Sequence, residues 1–187
     1  MTTRDSSSIS SRIAVAISKA AAASKDEKEL RQQVHPLWEG YLREHGSNLS
    51  LRIRQERTLA NGRSDAVFNR LVLEYKRPNS FTSKRKLADA LTQLRIYIED
   101  LVKEERWAKQ RLLGVAFDGR HFVYLKFLGR WIPGKPFPVS PQSVEEFLRY
   151  LVKLTDRAAL IPENLIRDFA IGEESKNDLA VNAIQSF

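Results

Sequence analysis

Cysteine is absent from this chain, which excludes disulfides, a thiol nucleophile and cysteine-ligated zinc or iron–sulfur chemistry, and fits a reducing cytoplasm. Histidine is nearly as scarce. His35, His45 and His121 are scattered, so a histidine-rich metal site is not expected. No apolar run approaches the roughly 20 residues that span a bilayer, and no membrane partner is expected. The apolar stretch 13–23 is broken by Ser18 and Lys19, with a thin basic region before it and no clear cleavage site after it. It reads as a surface helix rather than a secretory signal. Residues 129–136 nearly spell a nucleotide phosphate loop, but Pro136 stands where a Ser or Thr hydroxyl and a helix-opening N–H are needed. No nucleophile-elbow serine appears either.

What is present is one domain's worth of chain, 187 residues with 42% hydrophobic content and a net charge of +8. The positive charge is clustered. Residues 52–86 hold ten basic side chains against three acids, Glu56, Asp65 and Glu74. Two of those acids lie in the most informative stretch, Gly62-Arg63-Ser64-Asp65-Ala66-Val67-Phe68-Asn69-Arg70-Leu71-Val72-Leu73-Glu74-Tyr75-Lys76-Arg77-Pro78.

In a strand, side chains two apart share a face, so Glu74 and Lys76 fall with Val72, while Leu71, Leu73 and Tyr75 fall on the other side. A preceding strand over 65–68 and a tight turn at Asn69-Arg70 would form a hairpin carrying Asp65 and Glu74 to one end of a sheet. Such residues suit phosphodiester hydrolysis. A hard cation such as Mg²⁺ takes one or two protein carboxylates, and a nearby amine orients water and contributes positive charge. The plain alternative is a same-face ion pair on a solvated strand. The surrounding cations favour the first reading, because a basic field around a small acidic pocket fits a substrate held by its phosphates. The expected phosphate-facing residues are Arg63, Arg77, Lys84, Arg85 and Lys86.

The element order follows from periodicity. Leu30, Val34, Leu37 and Tyr41 predict an amphipathic helix over 24–45, with Pro36 as a kink. Leu49, Leu51 and Ile53 begin a first strand running toward Leu59, ended by an Asn61-Gly62 turn, and the hairpin supplies two more strands. Leu87, Leu91, Leu94, Ile98 and Leu101 predict a long helix. Apolar runs at 112–117 and 121–128 joined by Asp118-Gly119 predict another hairpin. Residues 131–139 read as edge or loop, and short helices are expected around 141–155 and 162–169. The expected class is α/β, a mixed central sheet flanked by helices in the order α-β-β-β-α-β plus C-terminal helices. The expected divisions are a helical extension at 1–24, a core domain at 25–157 and a helical segment at 158–187 that begins a linker.

That order resembles the core of the PD-(D/E)XK nuclease superfamily, and Asp65 with Glu74-Tyr75-Lys76 resembles its Asp…Glu-x-Lys signature, Ser64 standing where a Pro is usual. Glu27-Lys28-Glu29-Leu30-Arg31, Gln93 with Tyr97, Leu113-Gly114-Val115-Ala116-Phe117-Asp118-Gly119 and Pro162-Glu163-Asn164-Leu165-Ile166-Arg167-Asp168-Phe169 further resemble the N-terminal nuclease region of restriction enzymes fused to adenine DNA methyltransferases. The resemblance implies a DNA endonuclease using Mg²⁺, with Mn²⁺ able to substitute, and target-recognition and methyltransferase domains or subunits as partners. It implies metal ligation by Asp65 and Glu74, water positioning by Lys76, pocket ordering by Gln93, and a further carboxylate at Glu27.

Glu27 reads equally as a capping-box residue with Ser24, with Glu29 as the alternative site acid. Tyr97 shares Gln93's helix face, pocket-facing or half-buried. The competing functional classes are a non-catalytic nucleic-acid-binding module of the same fold and a repair or junction-resolving nuclease. Residues 178–187 have helical spacing without a stop signal, which suggests a longer parent polypeptide.

Overall fold

The computed structural model describes residues 3–45, 53–59, 62–68 and 70–155, with the side chains of 3–8, 53–65, 105 and 155 outside the description. Leu49, Leu51, Asn61, Asn69, the helix expected at 162–169 and the terminal stretch 178–187 lie outside the described residues. The chain divides into compact units Met1–Asp156 and Arg157–Phe187, and the described residues belong to the first.

Two helices open it, α1 (Thr3–Ala23) and α2 (Glu27–His45). Strands β1 (Ile53–Leu59), β2 (Gly62–Phe68) and β3 (Leu71–Tyr75) follow, then a 3-10 turn at Ser80–Thr82 and helix α3 (Lys84–Glu105). After a second 3-10 turn at Lys109–Arg111 come β4 (Leu113–Phe117), β5 (His121–Leu128), β6 (Arg130–Pro133), β7 (Phe137–Pro138) and α4 (Pro141–Thr155). The strands form one sheet in the order β1-β2-β3-β4-β5-β6, with β7 also on β5. Only β3 and β4 pair in parallel among the described strands; the other pairs are antiparallel. The protein is therefore a mixed α/β domain.

Alternation along the strands builds a core on each face. Leu71, Leu73 and Tyr75 of β3 join Leu113, Val115 and Phe117 of β4 under α1, α2 and α4. Val72 and Ala116 turn the other way, against Leu94, Ile98 and Leu101 of α3. Because β3 is central and covered on both sides, all five of its residues are buried, Glu74 among them.

Several boundaries differ from expectation for local reasons. Helix α2 starts at Glu27 rather than Ser24, because the Ser24 hydroxyl donates to the carbonyl of Ala20 at 2.8 Å and closes α1 instead. Its buried stripe is Leu30, Val34, Trp38 and Leu42, with Leu37 and Tyr41 at the margin. Trp38 draws the stripe round: its indole N–H donates to the Tyr75 hydroxyl at 3.0 Å, locking α2 onto β3. The stretch read as a surface helix has one face in the core, since Ala14, Ile17, Ala20 and Ala21 of α1 pack with α2 and α4. Strand β2 begins three residues earlier than Asp65, paired along its length with β1. Residues 130–138 supply two short edge strands, in which Pro133 and Pro138 lack the N–H that a further strand would need. Among the described residues, no helix is long and apolar enough to cross a membrane.

Two stability measurements test this packing. Gly119 has φ of +74°, and a Cβ there would stand 2.7 Å from the Cβ of Ala21, an atom that cannot move without α1. Gly119→Ala is expected to lower unfolding free energy by about 2 kcal/mol or more in urea titration. Tyr124 is the opposite case. Its hydroxyl is buried without a hydrogen-bond partner, and burial first, then the Glu146 charge, pushes its pKa well above the ordinary value. The folded state then holds a proton that the unfolded chain releases, so this contribution is complete below about pH 10 and is lost as pH rises further. Tyr124→Phe is expected to be neutral or stabilising by up to about 1 kcal/mol at pH 7 and to weaken the alkaline loss, as read by urea midpoints at pH 7 and 10.5.

Candidate active site

The β2–β3 register pairs Ala66 with Leu73, Val67 with Val72 and Phe68 with Leu71. Continued by one residue, it brings Asp65 to the row of Glu74. This is a backbone placement, and it is the one expected of the hairpin. Beyond Tyr75 the strand does not stop abruptly: the Lys76 N–H donates to the carbonyl of Phe117 at 2.8 Å, extending the parallel contact with β4. Lys76 thus leaves the sheet in a fixed direction.

Its ammonium lies 2.7 Å from Glu74 Oε1 and 3.6 Å from Glu27 Oε2. The Glu74 side chain is 4% exposed and that of Lys76 17%, whereas Glu27 is 41% exposed at the mouth of the group. A carboxylate that deep needs compensation, and the ammonium supplies it. The solvated-edge version of the ion pair is therefore excluded.

The capping question at α2 is also answered by geometry. Asp26 accepts from the Glu29 N–H at 2.9 Å, and Glu29 reaches back to the Lys25 N–H at 2.8 Å. Asp26 caps α2 and Glu29 folds back on the residue before that cap, in place of the Ser24–Glu27 alternative. Glu29 is thereby committed to the helix end, and Glu27 is the acid that meets Lys76.

The cations fall in two groups. Arg77 and the first-turn residues Lys84, Arg85 and Lys86 of α3 are exposed, and Ser83 caps that helix by accepting from the Lys86 N–H at 3.5 Å. Three cations at a helix N-terminus oppose its dipole, a local cost that a bound anion would offset. Arg63 lies on β2, opposite Thr58, with its backbone alone described. Gln93 is half-buried, and among the described residues no hydrogen bond or ion pair joins it to Glu74 or Lys76. Tyr97 is buried, packed in the core on the α3 side of the sheet.

Asp118 entered the sequence reading as a hairpin signal and within the resembling stretch 113–119, with no role of its own. It is fully buried and accepts from the N–H groups of Phe81, Arg120 and His121. Only the tertiary fold reveals the Phe81 bond, which spans 37 residues.

For a divalent cation, the described donors are Glu74 and Glu27, both hard oxygen ligands gathered about one ammonium, which already marks the spot as favourable to positive charge. Among the described residues no group of three or more His, Asp or Glu side chains is arranged to hold a metal. The carboxylate pair nonetheless fits a cation such as Mg²⁺, which uses one or two protein carboxylates and completes its shell with water and phosphate.

The fold and this group define a mixed α/β domain with a buried acid and amine at one end of its sheet. No family model and no curated protein matches the chain. Among solved structures it is similar to a cryo-EM structure of a DrdV–DNA complex, with a TM-score of 0.47 and 12% identity over 88% of this chain. The chain spans 15% of that structure's chain. A likeness of that size is too slight to bear on the function of this chain.

The ion pair generates its own test. Lys76→Met removes the ammonium 2.7 Å from a buried carboxylate and is expected to cost about 1–3 kcal/mol in urea unfolding. Adding Glu74→Gln in the same chain should restore part of that loss, and a strictly additive double variant would show that the pair is not coupled.

Proposed function

We propose that the chain is a metal-dependent endodeoxyribonuclease domain of the PD-(D/E)XK type, and that it serves as the cleavage domain of a restriction–modification enzyme. The observation that supports this most is the Lys76 ammonium held between Glu74 and Glu27 at the end of β3, with Asp65 on the same row of the neighbouring strand. The exposed cations Arg77, Lys84, Arg85 and Lys86 lie on the segment that comes directly after β3, where a phosphate backbone can be held. The sequence resemblance supports the restriction–modification role, with target-recognition and methyltransferase domains or subunits as its partners.

In this reading Asp65, Glu74 and Glu27 would hold Mg²⁺ or Mn²⁺. When bound, the cation supplies Lewis-acid stabilisation of charge on the phosphate and an acidified water. The chain's own residues do the rest. Lys76 orients water by donating to it and adds positive charge where the phosphate becomes more negative. Its N–H bond to Phe117 keeps the ammonium from wandering with its backbone. Burial of Glu74 keeps bulk water off one side of the group. Gln93 of α3 would help order the pocket, and the basic segment would fix the duplex by its phosphates without reading bases.

Cleavage of supercoiled plasmid in Mg²⁺ or Mn²⁺ tests the proposal. Glu74→Gln, Asp65→Asn and Lys76→Ala are each expected to reduce nicking by at least about a hundredfold, and Glu27→Ala by about tenfold with a higher metal requirement. Replacing Lys84, Arg85 and Lys86 by Ala should reduce the slope of log affinity against log salt by up to about three. Undiminished nicking by folded Glu74→Gln protein would sink the assignment. Tight binding without cleavage in any divalent metal would identify a non-catalytic binding module instead.

A further inference from the structure

We infer that Asp118 is a positioning residue that clamps the segment Lys76–Lys86, the part of the chain that carries the amine and the phosphate-facing cations, against the β4–β5 turn. The inference rests on the nuclease reading for its functional consequence, and on geometry for the clamp.

The two oxygens of this carboxylate divide their work. Oδ1 accepts from Arg120 N at 3.0 Å and His121 N at 2.7 Å, closing its own turn, with His121 Nδ1 at 3.5 Å. Oδ2 accepts from Phe81 N at 2.9 Å, in the 3-10 turn between β3 and α3. Charge-assisted bonds of this kind are about twice as strong as neutral ones. The Asp118 main chain adds a second hold, because its carbonyl accepts from Asn79 N at 3.3 Å. With Lys76 N on Phe117 O, the segment is fastened at three points to two consecutive residues of β4 and its turn.

The segment needs that fastening. Asn79 is in the left-handed region with φ of 62°, and the turn is otherwise held by short-range bonds, Ser80 Oγ to Arg77 O at 2.6 Å and Thr82 Oγ1 to Asn79 O at 2.9 Å. Four exposed cations, Arg77, Lys84, Arg85 and Lys86, flank it and repel one another. An unpinned segment would spread them, and the ordering would then have to be met on binding DNA. The clamp meets it beforehand.

The experiment is amide hydrogen exchange together with DNA binding on Asp118→Asn. An Asn oxygen can keep the two turn bonds, but its NH₂ then faces the Phe81 N–H, donor against donor. Phe81 exchange is expected to rise about tenfold with His121 within about twofold. Affinity of the folded variant for a nonspecific duplex should fall about tenfold, and the salt slope should drop by about one. A variant that is merely less stable loses active fraction while its folded fraction keeps the wild-type affinity and slope. Should Asp118→Asn not fold, Ser80→Ala loosens the same turn without touching Asp118, and the same fall in affinity and slope is expected to a smaller degree.

Unchanged Phe81 protection in Asp118→Asn overturns the clamp. Lost protection with unchanged affinity and slope, in either variant, overturns the positioning role. If wild-type protein neither binds nor cuts DNA, the nuclease reading fails and the positioning role with it, while Phe81 exchange still decides the clamp by itself.

Discussion

A carboxylate at the buried end of a central strand is the constraint around which this domain is arranged. Glu74 sits where β3 is covered on both faces, and Lys76, two residues on, turns its ammonium back to within 2.7 Å of it. Everything that fixes Lys76 therefore also fixes Glu74. The parallel neighbour β4 does so through the bond to Phe117 O, and α2 does so through Glu27. An acid and an amine held this tightly in a poorly solvated place are costly for stability and useful for chemistry.

The helices on the two faces contribute differently. On one face α2 is anchored through aromatic contacts: Trp38 bonds the Tyr75 hydroxyl, while His35 lies 3.3 Å from the same oxygen and stacks on Phe68. Tyr75 stands between Glu74 and Lys76 in sequence, so the lock on its hydroxyl holds α2's first turn, with Glu27, in register with the strand end. On the other face α3 packs by aliphatic ridges and delivers its N-terminal cations to the same end. The Asp118 turn joins the two layers there. It approaches α1 and α2 so closely at Gly119 that a methyl group would not fit, while its carboxylate holds the turn leading into α3.

Short-range pattern carried most of the architecture. The β2–β3 hairpin, the long helix α3 and the β4–β5 hairpin were legible from alternation, a leucine stripe and an Asp-Gly turn, since each is a local solution to burying one face. Helix starts were less so: Ser24 and Asp26 are both acceptable caps by type, and choosing between them required knowing that the Ser24 hydroxyl is occupied by α1. The buried stripe of α2 was read one position off for a similar reason, because Trp38 is turned inward by a partner 37 residues away.

The sequence alone determined that Glu74 and Lys76 share a face of one strand, that Asp65 belongs to the strand before it, and that cations cluster around them, because strand periodicity and hairpin length are set by a few neighbouring residues. It could not determine which first-helix acid meets Lys76, or that Asp118 accepts a hydrogen bond from the turn between β3 and α3. Those outcomes depend on where α2, α3 and the β4–β5 turn come to rest against β3. That placement is decided by packing between residues tens of positions apart, where a single side chain such as Trp38 or Asp118 settles which of several locally equivalent arrangements is lowest in free energy.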